Sequence, residues 1–137
     1  MRFYTVLAIL VASINLGSAK KYHNKYRPIE CFDYGEDWED NVEVASAYTL
    51  EACNKIIGNR NYTRGQKATA CYNIGWDQRV EFTVALRTFP SRFLTYDECI
   101  HRMMPIFFVC RRGGKRKFHN WKFKYLHLNI IHGFPKG

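Results

Sequence analysis

The sharpest pattern along the chain is an alternation from Val80 to Arg87. Val80, Phe82, Val84 and Leu86 fall on one side and Glu81, Thr83, Ala85 and Arg87 on the other, which predicts a half-buried strand. A weaker alternation from Thr69 to Ile74 precedes it, and the turn-forming cluster Gly75-Trp76-Asp77-Gln78 between them makes the two runs a hairpin. Near the end, Trp121, Phe123 and Tyr125 alternate with Lys122 and Lys124, and the apolar phase then shifts to Leu126, Leu128 and Ile130. This predicts one long last strand from Phe118 with a bulge near Tyr125. A short first strand is expected at Ile29 to Phe32, since Pro28 favours extended backbone before it.

Two segments carry helical spacing. Leu50, Cys53 and Ile57 recur at helix period, with a start at Val42 or Thr49 and a stop at Gly58-Asn59. Thr95-Tyr96-Asp97-Glu98 is a capping box for a second helix that turns Cys99, Met103 and Ile106 inward until Pro105 kinks or ends it. The remaining stretches read as loops: acidic from Gly35 to Asp40, polar from Gly58 to Lys67, and basic from Arg111 to Lys117 around Gly113-Gly114.

The resulting order is strand, helix, strand, strand, helix, strand. Thr49 to Cys53 and Thr95 to Cys99 also share a threonine, an acid and a cysteine at matching offsets. Two such halves predict an α+β fold of ferredoxin-like β-α-β-β-α-β type, an antiparallel sheet with both helices on one face, stapled by disulfides. In that arrangement the two helix starts lie at opposite ends of the sheet. A Cys53–Cys99 bridge is then disfavoured, and each helix cysteine is expected to pair with Cys31, Cys71 or Cys110.

The two ends alter the picture. Met1-Arg2, the apolar run Phe3 to Leu16 and the small residues Gly17-Ser18-Ala19 have the layout of a signal peptide, residues 1–19, cleaved after Ala19. The apolar run is shorter than the roughly 20 residues of a spanning helix, so no transmembrane segment is expected. Residues 20–137 then form a single domain of ordinary size. Of the 21 Lys/Arg only Arg2 is lost with the leader, and against 12 Asp/Glu this leaves a formal charge of +8. The acids concentrate between Glu30 and Glu51. Export to an oxidising compartment makes disulfides the expected use of Cys31, Cys53, Cys71, Cys99 and Cys110. Because there are five cysteines, at most two bridges form within the chain and one thiol is left over.

Candidate chemistry is sparse. No C-x-x-C, H-E-x-x-H or H-x-H appears, so neither a metal nor another cofactor is expected. A ribonuclease would need a base, an acid and a cation beside phosphate; Glu81 and Arg87 on one strand face and His119 on the last strand are the candidates. The cations Arg111, Arg112, Lys115, Arg116, Lys117, Lys122 and Lys124 make the best partner-binding surface, facing phosphate, acidic protein or anionic lipid. Asn61-Tyr62-Thr63 is an N-glycosylation sequon.

Taken together, the leader, the size and the odd cysteine set resemble the small secreted effectors of plant-pathogenic fungi. Thr49 to Cys53, Cys71 and Thr95 to Cys99 are similar to the necrosis-inducing effectors and the killer-toxin-like ferredoxin sandwiches. Cys31, Gly35, Trp38, Val42 and Ala52-Cys53 resemble the opening motif of the ribonuclease-like effectors of powdery mildews. Trp121-Lys122-Phe123-Lys124 is similar to a Trp-Arg-apolar-Arg motif of certain avirulence effectors. The resemblance implies a non-enzymatic virulence factor, a monomer acting in the host apoplast or translocated into host cells. Its partner would be a host plant protein, and it would be open to detection by a resistance protein. A secreted ribonuclease or RNA-binding protein is the second expectation, with nucleic acid as the less favoured partner, and a basic membrane-active or antimicrobial toxin is the third.

Overall fold

The computed structural model describes residues 29–38 and 41–130. The leader, Lys20 to Pro28, Glu39 and Asp40 lie outside them. Along the described chain run β1 (Glu30–Cys31), α1 (Val42–Lys55), β2 (Arg60–Tyr62), β3 (Lys67–Ile74), β4 (Gln78–Leu86), β5 (Arg92–Leu94), α2 (Tyr96–Val109), β6 (Gly113–Phe118) and β7 (Trp121–Asn129). The α+β class holds, with antiparallel sheets, two helices and two disulfides among the described residues.

The hairpin forms as the alternation requires. β3 pairs with β4 from Lys67↔Ala85 to Ile74↔Gln78. Flanked by β3 and β7, β4 buries Val80, Phe82, Val84 and Leu86 against the helices, together with Trp121, Phe123 and Tyr125 of β7. Helix α1 lies close to the sheet because its inward stripe, Ala45, Thr49, Ala52 and Cys53, is made of small side chains. The buried Thr49 hydroxyl is satisfied by donating to the Ala45 carbonyl at 2.9 Å. Leu50, expected inside, is 40% exposed, because the helix begins at Val42 and its buried stripe passes through Thr49 instead. In α2 the Thr95 hydroxyl accepts from the Glu98 amide at 3.1 Å, and Cys99, Met103 and Ile106 point inward as expected. Pro105 does not end this helix, which runs on to Val109. The carbonyl left without an intrahelical donor belongs to exposed His101, within reach of water.

The sheet order corrects the ferredoxin-like expectation. That topology sets the first strand between the last and the third; here the order is β1-β6-β7-β4-β3, so β1 lies at one edge and β7 sits directly on β4. The cause is Gly113 to Phe118, expected as a loop, which forms strand β6 and fills the place beside β7. Its glycines serve close approach. A Cβ on Gly114 would stand 2.6 Å from Cys110 Sγ, and Gly113 holds a φ of +120°. Strand β2, within the segment expected as a polar loop, pairs with β5 as a separate two-stranded sheet.

The bulge near Tyr125 is also absent. Pairing of β7 with β4 runs unbroken from Leu86↔Trp121 to Gln78↔Asn129. The apolar phase shift has another cause: the segment after β1 crosses the sheet face, where Glu36 donates its amide to the His127 carbonyl at 3.0 Å. Leu126, on the outward side, is buried beneath it at 6% exposure.

The disulfides are Cys31–Cys110 and Cys53–Cys99, and Cys71 is the leftover thiol. The disfavoured helix-to-helix bridge therefore forms. With α1 starting at Val42, Cys53 falls in its last turn, next to Cys99 in the first turn of α2. A helix end meets a helix start here, so the separation of the two helix starts does not keep these cysteines apart.

Candidate functional site

Strand parity sends the side chains alternating with the core to the face of the five-stranded sheet away from the helices, which the segment after β1 covers at Leu126. Two cross-strand rows result. Lys67, Ala85, Lys122 and Lys117 form one row, and Thr69, Thr83, Lys124 and Lys115 the next. The Thr69 and Thr83 hydroxyls hydrogen-bond each other at 3.0 Å. Lys67, Thr69, Glu81, Thr83, Ala85, Lys122 and Lys124 line a shallow depression of about 320 Å³. Ala85, lacking a long side chain, leaves room between Lys67 and Lys122. At the margin the Phe32 and Tyr34 rings stack at 4.9 Å, and the Lys124 ammonium lies 5.7 Å from the Phe32 centroid.

Charge on this face is one-sided. Lys115 is paired to Glu30 at 3.1 Å and Glu81 to Arg79 at 2.9 Å. Among the described residues, Lys67, Lys117, Lys122 and Lys124 have no carboxylate partner. Lys117 stands directly opposite Lys122, and Lys115 directly opposite Lys124. Like charges at opposed positions destabilise a sheet.

The expected basic block thus divides. Lys115, Lys117, Lys122 and Lys124 share the open face. Arg116 points to the helix side, 5.5 Å from the Phe118 centroid. Arg111 is bonded to Asp37 at 3.1 Å, and Arg112 donates to the Asp33 carbonyl at 3.1 Å. Lys67 is the cation that sequence reasoning missed, although it continues the parity of Thr69 and Cys71.

The three ribonuclease candidates do not converge. Glu81 lies mid-strand opposite Cys71 and Leu126, whereas His119 occupies the β6–β7 turn with a φ of +47°. Arg87, just past β4, donates its amide to Asn120 in that turn, six residues along the chain from Glu81. His119 instead borders a second depression, of about 470 Å³, with Arg92, Phe93, Glu98, Arg102 and Asn120 among its lining residues. The Arg102 guanidinium lies 3.2 Å from the centre of the Phe118 ring, and the His119 ring meets the same phenyl edge-on at 4.5 Å. With its amide oriented to satisfy both neighbours, Asn120 donates to Thr88 at 2.6 Å and accepts from Arg92 at 2.9 and 3.2 Å.

Two further polar groups lie in the sheet. The Cys71 thiol faces outward, and partial burial, then the Glu81 carboxylate, raise its pKa, with Arg79 opposing. His127 is fully buried, its Nε2 3.1 Å from Gln78 Oε1; burial lowers its pKa, with Glu36 and Asp37 opposing.

Among the described residues no helix is long and apolar enough to cross a membrane, and no three His, Cys, Asp or Glu side chains gather as metal ligands. No family profile and no curated protein matches the chain.

Proposed function

We propose that this is a secreted effector-like binding protein that engages an anionic surface of a host plant molecule through the lysine face of its sheet. The carrying observation is the opposed, uncompensated like-charge position Lys117↔Lys122, since Lys115 opposite Lys124 is already paired to Glu30. A sheet shaped by stability alone would place an acid at one member of this pair. An anionic partner relieves the repulsion and releases its own counterions, so binding gains what folding forgoes. The threonine hydroxyls add hydrogen-bond donors on the floor, and Phe32 and Tyr34 supply apolar contact at the rim. An acidic host protein is the partner we favour, and its detection by a resistance protein follows if the bound face is the one surveyed. Capture from host tissue extract with the purified protein tests this. A partner retained by the native chain and lost by Lys122→Glu/Lys124→Glu supports the reading; undiminished capture by the variant overturns it.

A second reading, secreted ribonuclease, is favoured by one observation: an imidazole, a carboxylate and two guanidinium groups border the depression at His119. These residue types can supply an acid, a base and phosphate-binding cations. RNA cleavage abolished in His119→Ala and Glu98→Gln, but kept in Glu81→Ala, would establish that reading in place of the first.

A further inference from the structure

Asn61 is the central residue of β2 and lies directly opposite Phe93, the central residue of β5. Directly opposed residues of an antiparallel pair project to the same side with Cβ atoms about 5 Å apart. Both project to solvent here: Asn61 is exposed and Phe93 keeps 51% of its surface in water. The strand beneath them is anchored, because the neighbouring Tyr62 is fully buried and its hydroxyl donates to the Ile57 carbonyl at 2.6 Å. The Asn61 carboxamide makes no hydrogen bond to a described residue, and Thr63, the third member of the sequon, is exposed. An anchored, solvent-facing asparagine beside a half-exposed phenyl ring is a geometry that its glycosylated form would complete.

We propose that Asn61 carries an N-linked glycan whose first N-acetylglucosamine lays its apolar C–H face on the Phe93 ring. In the transfer the Asn61 side-chain nitrogen bonds to the anomeric carbon of an oligosaccharide carried on a polyisoprenyl diphosphate. The carbon–oxygen bond to the diphosphate breaks, the amide gives up one proton, and the lipid diphosphate departs. The sugar then covers the half of a large apolar ring that the protein leaves exposed, the source of its stabilising effect. Phe93 also borders the depression at His119, so the glycan stands at the mouth of that depression. Neither Asn61 nor Phe93 lines the lysine depression, so partner capture there does not require the glycan. The inference rests on the export part of the proposed function and not on the lysine face.

The test is expression of the full chain in a eukaryotic secretory host, with intact masses of medium and cell-associated protein before and after peptide N-glycosidase. A glycan mass present in the native chain and missing from Thr63→Ala is expected. Thermal melts of the glycosylated and enzymatically deglycosylated forms then read the packing. The glycan should raise the melting temperature by about 3–6 °C, a span intermediate between those of smaller and larger domains, and should have no such effect in Phe93→Ala. Protein in the medium without a glycan overturns the modification and leaves export standing. Unglycosylated protein found only inside the cells overturns both. An equal thermal shift in Phe93→Ala overturns the contact with the ring.

Discussion

Lys122 on β7 stands directly opposite Lys117 on β6, and neither has a carboxylate partner among the described residues. The pair separates stability from binding. Lys122→Glu converts a repulsive cross-strand position into an attractive one, so the variant should be more stable by about 0.5–1 kcal/mol. The same substitution should weaken retention of an anionic partner. Urea midpoints and partner capture, measured on one preparation, check both; a less stable variant would show that the opposed ammonium groups do not repel.

The two disulfides should differ in accessibility. Cys53 and Cys99 are fully buried, whereas Cys31 is exposed on a two-residue edge strand. Mild reductant followed by alkylation and peptide mapping should therefore label Cys31 and Cys110 before Cys53 and Cys99, in addition to the free Cys71, with far-ultraviolet circular dichroism little changed. Removing either bridge should be costly, since the outer one spans 79 residues and the inner one 46. Cys53→Ala/Cys99→Ala frees a sequence separation of 46 residues, worth about 4 kcal/mol on chain-entropy grounds, and should lower the urea midpoint accordingly.

Cys71 should be the one thiol that alkylates in the native, oxidised protein. Partial burial and the Glu81 carboxylate raise its pKa, so the reaction should be slow at neutral pH and accelerate as the pH rises. Glu81→Gln removes one of the raising influences. Its labelling rate at a fixed, mildly alkaline pH should exceed that of the native chain, as followed by intact mass against time.

Stability should fall on mild acidification because of His127. Burial holds its pKa in the folded state below the ordinary 6.5, against the pull of Glu36 and Asp37. The unfolded chain therefore binds this proton more readily than the folded one. The contribution of the neutral imidazole is intact above about pH 6.5 and is lost as the pH drops below that value. Urea midpoints from pH 7.5 down to 5 should decline, and the slope in that window should be shallower in His127→Gln whatever its stability at neutral pH.

Some of this protein was readable without its fold. The β3–β4 hairpin, the outward direction of Lys122 and Lys124, the inward direction of Cys99 and Met103, and the single leftover thiol all follow from the pattern and the cysteine count. Leu126 shows where the reading fails. Its burial broke the alternation of β7 and mimicked a bulge, but the cause is a segment 90 residues earlier in the chain, around Glu36, crossing the outer face. Gly113-Gly114 fails for the same kind of reason: the glycines satisfy a tight passage beside Cys110, which looks in the sequence like loop flexibility.

What the sequence alone determined is therefore local: where the β3–β4 hairpin, most of β7 and both helices form and which side of the hairpin seeks the core, because period-2 and period-3.6 burial are properties of contiguous residues. The tertiary structure alone decided strand order, disulfide partners and the composition of the open face. Lys67 joins Lys122 across Ala85, Cys53 meets Cys99, and Glu81 is parted from His119, because each outcome depends on register and packing between distant segments. No local period encodes those relations.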